Sequence, residues 1–382
     1  MSASVGIITF QWYDNFGTLF QAYALQEAIT TLGFNAHIIP FSVRKNTGLR
    51  RFIAKTPIGT LQKIKKFIEC KGLTYENGFE LFRKTYFRRG RDFAIPFGEA
   101  LKKVYDEDVL IFGSDNIWSV GSLPLSHSGF SVFFGDGIKH VNKIVYGAST
   151  AGYLQEHRFC SQIIERIRGG GFKRISCRER CTTDLLQEHG IDAVTVPDPT
   201  ILMEQERWKE ILVKPTDSGY VLGYDIGHEG QQNVADICLS IGKRYKCNAR
   251  LLYPRRFIKY RKEAAYPDPH QWLGWMNDAG LVVTNSFHGV VFSIVFNNEF
   301  LYVPISGDSS ALNMRAYELL KFLNLEDRIL FPGFDPAIVA EKTKIDWISV
   351  NKKLVELRNM GLSYLREVLS CACKAVKEDV LC

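Results

Sequence analysis

The stretch Leu281-Val282-Val283-Thr284-Asn285-Ser286-Phe287-His288-Gly289-Val290-Val291-Phe292-Ser293-Ile294-Val295-Phe296 decides how this chain must fold. Its opening apolar run reads as a strand buried on both faces, and the apolar run after Gly289 reads as a buried helix. The polar residues between them therefore sit at a strand-to-helix corner, where open α/β sheets bind their ligands. Unpaired N–H groups in the first turn of such a helix favour an anion beside His288, and Gly289 would let the backbone approach it closely. A histidine placed there can both feel a negative ligand and move a proton near neutral pH.

The same unit recurs on either side. Residues 5–10 are β-rich, and residues 18–32 repeat apolar side chains at helical spacing and stop at Gly33; residues 36–41 form the next strand. This βαβ opening predicts a parallel sheet. Further strands are expected at 109–112, 144–149, 174–177 and 193–196, each followed by polar residues: Gly113-Ser114-Asp115-Asn116-Ile117-Trp118, Arg178-Glu179-Arg180 and Asp198-Pro199-Thr200 among them. The turn at Asp198-Pro199 and a helix over 204–211 put a domain boundary near residue 205. A second set of strands near 220–224, 249–253, 281–284 and 300–303 alternates with helices near 231–245, 269–278 and 289–297. A helical stripe over 350–371 closes the chain. Trp272 and Trp275, on the helix after Asp268-Pro269, read as core or interdomain packing rather than as a sugar platform.

The chain has 382 residues, 46% of them hydrophobic, which suits two domains with a core each. Nine cysteines without a Cys-x-x-Cys argue for buried thiols, neither a disulfide framework nor a zinc knuckle. The glycines do not form the Gly-x-Gly-x-x-Gly of a dinucleotide fold, so no nicotinamide or flavin cofactor is expected. No metal is expected either, because no carboxylate or histidine cluster has ligand spacing. No run reaches the length of a membrane span and no signal segment precedes residue 5, so a cytoplasmic protein is expected.

The net charge of +7 is uneven: residues 44–91 hold 14 Lys and Arg against three Glu, a local +11. Such a block attracts phosphate-rich partners, and a lipid diphosphate or an anionic membrane fits better than nucleic acid, for which no reading module is present. Within it, Leu61, Ile64, Phe67 and Ile68 face one side of an expected helix, with Lys63, Lys65 and Lys66 on the other.

Taken in order, Asn15-Phe16-Gly17 with Gln21-Ala22-Tyr23-Ala24-Leu25-Gln26, Gly113-Ser114-Asp115-Asn116-Ile117-Trp118, Ser176-Cys177-Arg178-Glu179, Asp198-Pro199-Thr200 and Thr284-Asn285-Ser286-Phe287-His288-Gly289 resemble the signature of the polysaccharide pyruvyl transferase family over about residues 5–325. The resemblance implies two Rossmann-like doubly wound domains with an interdomain cleft, like those of GT-B glycosyltransferases. Residues 1–205 would be the acceptor side, with the basic excursion at 44–91; residues 206–345 the donor side; and 346–382 a helical tail packing back on the first domain. It also implies phosphoenolpyruvate as donor substrate and a pyruvate ketal built across two hydroxyls of a sugar, either in a surface polysaccharide or on a lipid-diphosphate-linked precursor. Carried over by position, His288 is the proton donor and Arg178 the donor-binding arginine, both catalytic. Ser286, Gly289, Asn313 and Arg315 are expected around the donor, and Asn15, Gly17, Asp115 and Asn116 around the acceptor. Many family members have arginine two residues before the histidine, where this chain has Ser286, so Arg315 or Arg180 is expected to compensate.

Two other readings share these features: a GT-B glycosyltransferase using a nucleotide sugar, and a non-catalytic carbohydrate-binding protein. The basic block makes its own prediction. Each basic residue near an anionic surface contributes about 1 kcal/mol, within a screening length of roughly 8 Å. Cosedimentation with anionic vesicles should be lost at high salt and on changing Lys63, Lys65 and Lys66 to Glu. Equal binding to neutral vesicles would contradict it.

Overall fold

A computed structural model of the protein describes residues 2–40, 74–88, 107–119, 131–139, 142–152, 154, 158–227, 233–252, 262–341 and 344–379. The strands are β1 (Ser4–Ile8), β2 (Asn35–Ile38), β3 (Val109–Phe112), β4 (Lys143–Val145), β5 (Ser176–Cys177), β6 (Val194–Thr195), β7 (Val221–Tyr224), β8 (Ala249–Leu252), β9 (Ala264–Ala265), β10 (Leu281–Thr284) and β11 (Phe300–Tyr302). The helices are α1 (Phe16–Thr31), α2 (Thr74–Tyr86), α3 (Cys160–Gly169), α4 (Arg180–Glu188), α5 (Pro199–Leu202), α6 (Gln205–Lys209), α7 (Val234–Tyr245), α8 (Pro269–Asn277), α9 (Phe287–Val295), α10 (Met314–Leu323), α11 (Pro336–Glu341) and α12 (Trp347–Asp379).

Every described strand pairing is parallel. The first sheet runs β2-β1-β3-β4, and bridges at Ile144–Arg174 and Ala148–Cys177 join β5 and β6 to its edge. The second runs β11-β10-β7-β8-β9. Both are doubly wound, and in each the order reverses once, between β1 and β3 and between β7 and β10. The loops leaving those strands splay apart and open a crevice at the switch point. The loops bearing Asn15, Asp115 and His288 all leave strands at these two points. The fold is α/β with two Rossmann-like units.

The largest apolar cluster runs through both units, and each unit adds a smaller cluster of its own. Phe16 and Phe20 on α1 lie 5.1 and 5.5 Å from Trp272 on α8, and Phe20 lies 5.3 Å from Phe292 on α9. Trp208 on α6 meets Phe20 and Phe292 at 5.5 and 4.9 Å. Trp272 is fully buried, while Trp275 flanks the Arg250 guanidinium at 4.4 Å. Helix α12 packs back across the seam: Tyr364 Oη donates to the Val145 carbonyl, and Arg358 Nε to the Ile201 carbonyl. Gly361 is needed there, because a Cβ would come within 2.6 Å of both Leu202 and the Tyr146 hydroxyl.

Most of the basic stretch at 44–91, including the expected helix with Lys63, Lys65 and Lys66, lies outside the described residues. The described part spends its charge internally. Arg83 is buried, donating to the Gln11 and Tyr13 carbonyls and to Asp14, and so holds the loop between β1 and α1; Arg88 pairs with Glu27 and Lys84 with Glu80. Among the described residues no helix is long and apolar enough to cross a membrane.

Truncating a buried aromatic costs about 3–5 kcal/mol. Trp272→Ala is therefore expected to lower the melting temperature of the whole protein in one transition, followed by circular dichroism and calorimetry. A calorimetric trace in which only residues 206–345 melt early would show that the two units do not share this core.

Candidate active site

The corner after β10 is built by its own polar residues. Thr284 Oγ1 donates to the Tyr224 carbonyl (2.7 Å) and accepts from Ser286 N (3.0 Å), while Ser286 caps α9 by accepting from Gly289 N (3.2 Å). Asn285 ties the corner to β7, donating to Asp225 Oδ1 and accepting from Ile226 N. Two expectations change here. The Gly289 N–H is taken by Ser286, and a Cβ at Gly289 would lie 2.4 Å from Thr284 Oγ1, so the glycine serves helix-on-strand packing and not close approach to a ligand. Ser286 likewise spends its oxygen on the cap.

His288 then projects from the first turn of α9 into the other unit. A Cβ on Gly17 would fall 2.0 Å from His288 Nδ1, so the bare backbone of α1 lies directly against the imidazole. Gly17 was expected to touch an acceptor; what it contacts is the histidine. On the ring's other side, Nε2 is buried 3.4 Å from Asp198 Oδ2, without a hydrogen bond of good geometry. Asp198 stands at the start of α5, where its Oδ1 accepts from Thr200 N (3.0 Å) and Oγ1 (2.6 Å).

Arg178 leaves β5 and is buried among carboxylates. Its Nη1 donates to Asp198 Oδ2 (2.7 Å), its Nε to Glu179 Oε1 (3.3 Å) and its Nη2 to Asn116 Oδ1 (3.0 Å). Arg315, on α10, reaches the same oxygen: its Nη1 donates to Asn116 Oδ1 at 3.3 Å and its Nε to the Leu312 carbonyl. Both guanidiniums lie over the Phe287 ring, at 5.0 and 5.5 Å from its centroid. Two buried cations thus share one amide oxygen and one aromatic ring. Among the described residues Arg315 Nη2 has no partner, whereas each nitrogen of Arg178 is engaged.

The electrostatics follow this division. Burial works against the Arg178 charge, but Glu179, Asp198 and Asp115 more than offset it and raise its pKa. Burial also opposes the Asp198 charge; His288 and then Arg178 hold its carboxyl well below the usual carboxylate range. At Arg315 the balance is reversed: burial and the neighbouring Arg178 outweigh the pull of Glu179 and Asp115 and lower its pKa.

Asp115 Oδ2 accepts from Thr18 Oγ1 (2.9 Å) and Oδ1 from Asn116 N, and Asp115 itself has φ of 71°. Asp115 and Asn116, expected around the acceptor, are therefore part of the arginine cluster. Asn15 is exposed and caps α1, accepting from Thr18 N at 3.1 Å. Asn313 is corrected from ligand contact to scaffold: its amide donates to the Ile305 carbonyl and accepts from Ile305 N and Tyr302 Oη. Of the two arginines expected to compensate for Ser286, Arg180 is on the surface beside Asp184, which leaves Arg315. Phe287, Glu179, Ser149 and Asp198 had no assigned role; Ser149 Oγ lies 2.6 Å from Glu179 Oε1 and 3.0 Å from Asn116 Oδ1.

The family model for polysaccharide pyruvyl transferases matches residues 15–307, from the cap of α1 to beyond the histidine corner. The chain belongs to that family. The matched range includes every residue of the cluster except Arg315, which lies beyond residue 307. No curated protein matches the sequence. Among solved structures, similar folds include an α-glucosyltransferase in complex with UDP and DNA (11% identity, 100% of this chain and 99% of that one, TM-score 0.48). Others are a UDP-GlcNAc 2-epimerase from Neisseria meningitidis (9%, 97% and 99%, TM-score 0.48) and the glycotransferase of kitacinnamycin (11%, 99% of each, TM-score 0.47).

The two arginines should differ in what they do for stability. Arg178→Ala would strand Asp198 and Glu179 without their cation and is expected to cost about 3–5 kcal/mol, read by urea unfolding at pH 7. Arg315→Ala removes a repelling charge and is expected to leave stability unchanged or higher. The reverse order of the two midpoints would contradict this division of the cluster.

Proposed function

We propose that this transferase moves the pyruvyl group of phosphoenolpyruvate onto two hydroxyls of a sugar, in a surface polysaccharide or its lipid-linked precursor, and releases phosphate. The observation that supports it best is the convergence of Arg178 and Arg315 on Asn116 Oδ1 beside His288, with Arg315 holding unused donors. Phosphoenolpyruvate carries a phosphate and a carboxylate on one small frame, which matches two guanidiniums a few ångströms from a proton-active ring. No step of this reaction calls for a cofactor.

The chemistry balances with these groups. A proton from His288 adds to C3, forming a C–H bond from the enol pair and leaving oxocarbenium character at C2. The first sugar hydroxyl attacks C2 and returns its proton to His288. The C2–O bond to phosphate then breaks, the electron pair leaves with the phosphate, and the second hydroxyl closes the ketal as its proton passes to the phosphate. One hydroxyl proton thus ends on the new methyl group and the other on phosphate. The arginines stabilise the departing charge, and general acid catalysis of this kind is worth about 10² to 10⁴-fold.

His288→Ala is expected to lose phosphate release from phosphoenolpyruvate, tested against a panel of galactoside and N-acetylhexosamine acceptors. Arg315→Ala should weaken phosphoenolpyruvate binding by about 10 to 100-fold in calorimetry, the value of one or two charge-assisted hydrogen bonds. Arg315→Lys should restore little of it, because the planar fork is lost. Thermal stabilisation by a nucleotide diphosphate but not by phosphoenolpyruvate would replace this reading with that of a nucleotide-sugar glycosyltransferase.

A further inference from the structure

We infer that Asp198 is a positioning residue for His288: it holds a proton on Nε2 and leaves Nδ1, the nitrogen beside Gly17, to exchange protons with substrate. The inference rests on the proton-donor role of His288 proposed above, and its geometry is that of the buried face of the ring. Nε2 is out of reach of solvent, and among the described residues the acceptor nearest to it is Asp198 Oδ2, 3.4 Å away. Such contacts are often long in an empty site and tighten when substrate binds. The carboxylate itself cannot move far, since Oδ1 is fixed by two bonds from Thr200 and Oδ2 by Arg178 at 2.7 Å.

The surroundings of that nitrogen point the same way. Asp198 is 1% exposed; Gly17 from α1, Asp198 before α5 and Phe287 from α9 stand against the ring, and Arg178 beyond β5 is linked to it through Asp198 Oδ2. Further charges stand behind them, with Asp115 held by Thr18, Glu179 on Arg178 and Arg315 on Asn116. Among the described residues, the anion against the imidazole is Asp198. A carboxylate in that place accepts from the Nε2 proton and so fixes the tautomer of the ring once Nδ1 has given up its proton. Because Arg178 shares Oδ2, the same oxygen also sets the distance between the arginine and the histidine.

The test is made on the full chain labelled with ¹⁵N-histidine, with the His288 signals assigned by their loss in His288→Ala. In the wild type the neutral ring should carry its proton on Nε2, and in Asp198→Asn that preference should be lost. A wild-type ring protonated on Nδ1 would overturn the inference, whether or not the variant folds. Activity gives the second readout: kcat for phosphate release should fall by about 100-fold in Asp198→Asn. An unchanged kcat with an unchanged tautomer would leave Asp198 a purely structural ion-pair partner. The ring measurement uses no substrate, so it decides the positioning independently of whether phosphoenolpyruvate is the donor.

Discussion

The aromatic seam between the two Rossmann-like units is the constraint on which the site depends. Phe16, Phe20, Trp208, Trp272 and Phe292 interlock across it, and two of them belong to the first five residues of α1. Fixing α1 against α8 and α9 fixes Gly17 against His288, one residue along from Phe16. Interiors pack at near-crystalline density, so this contact transmits position rather than averaging it. Without the seam, His288 and Arg178 would be residues of two separate sheets with no reason to share Asp198.

Helix α12 and the short helix α5 reinforce the same geometry from behind. Asp198 begins α5, the Ile201 carbonyl accepts from Arg358 of α12, and Gly361 lets the long helix close on Leu202 and Tyr146. The residue that anchors both Arg178 and His288 is therefore clamped between the first sheet and the chain's last helix. A weak contact here would loosen arginine and histidine together, since both lean on Asp198 Oδ2.

Much of this architecture was legible in the chain because its parallel strands are buried on both faces and so read as continuous apolar runs, such as 109–112 and 281–284. The histidine corner was legible for the same reason, along with the polar tips at Asp115, Arg178 and Asp198. What local patterning could not show was which groups would satisfy one another. Gly289 and Ser286 look like ligand contacts until Thr284 and the helix cap are seen to occupy them. Asn313 looks equally free until the 305–313 loop folds on it. Those partnerships depend on how each loop folds, others such as Arg315 with Asn116 join residues far apart in sequence, and no periodicity encodes either kind. Helix α10 and strand β9 were not foreseen at all, the strand because two alanines carry no β signal of their own.

The helix termini show how the ligand site is kept distinct from the scaffold. A helix N-terminus attracts anions through its unpaired N–H groups and its dipole. At α4 that place is already filled by the protein: Glu318 of α10 accepts from Arg180 N at 2.7 Å and Cys181 N at 3.2 Å, linking the second unit to the first. At α9, Ser286 takes the Gly289 N–H. An anion at this corner would therefore have to be held by side chains. Arg178 is held by its carboxylates, while at Arg315 burial and Arg178 outweigh Glu179 and Asp115 and Nη2 is left unpaired among the described residues. An anion placed between the two guanidiniums would relieve the repulsion that Arg178 exerts on Arg315.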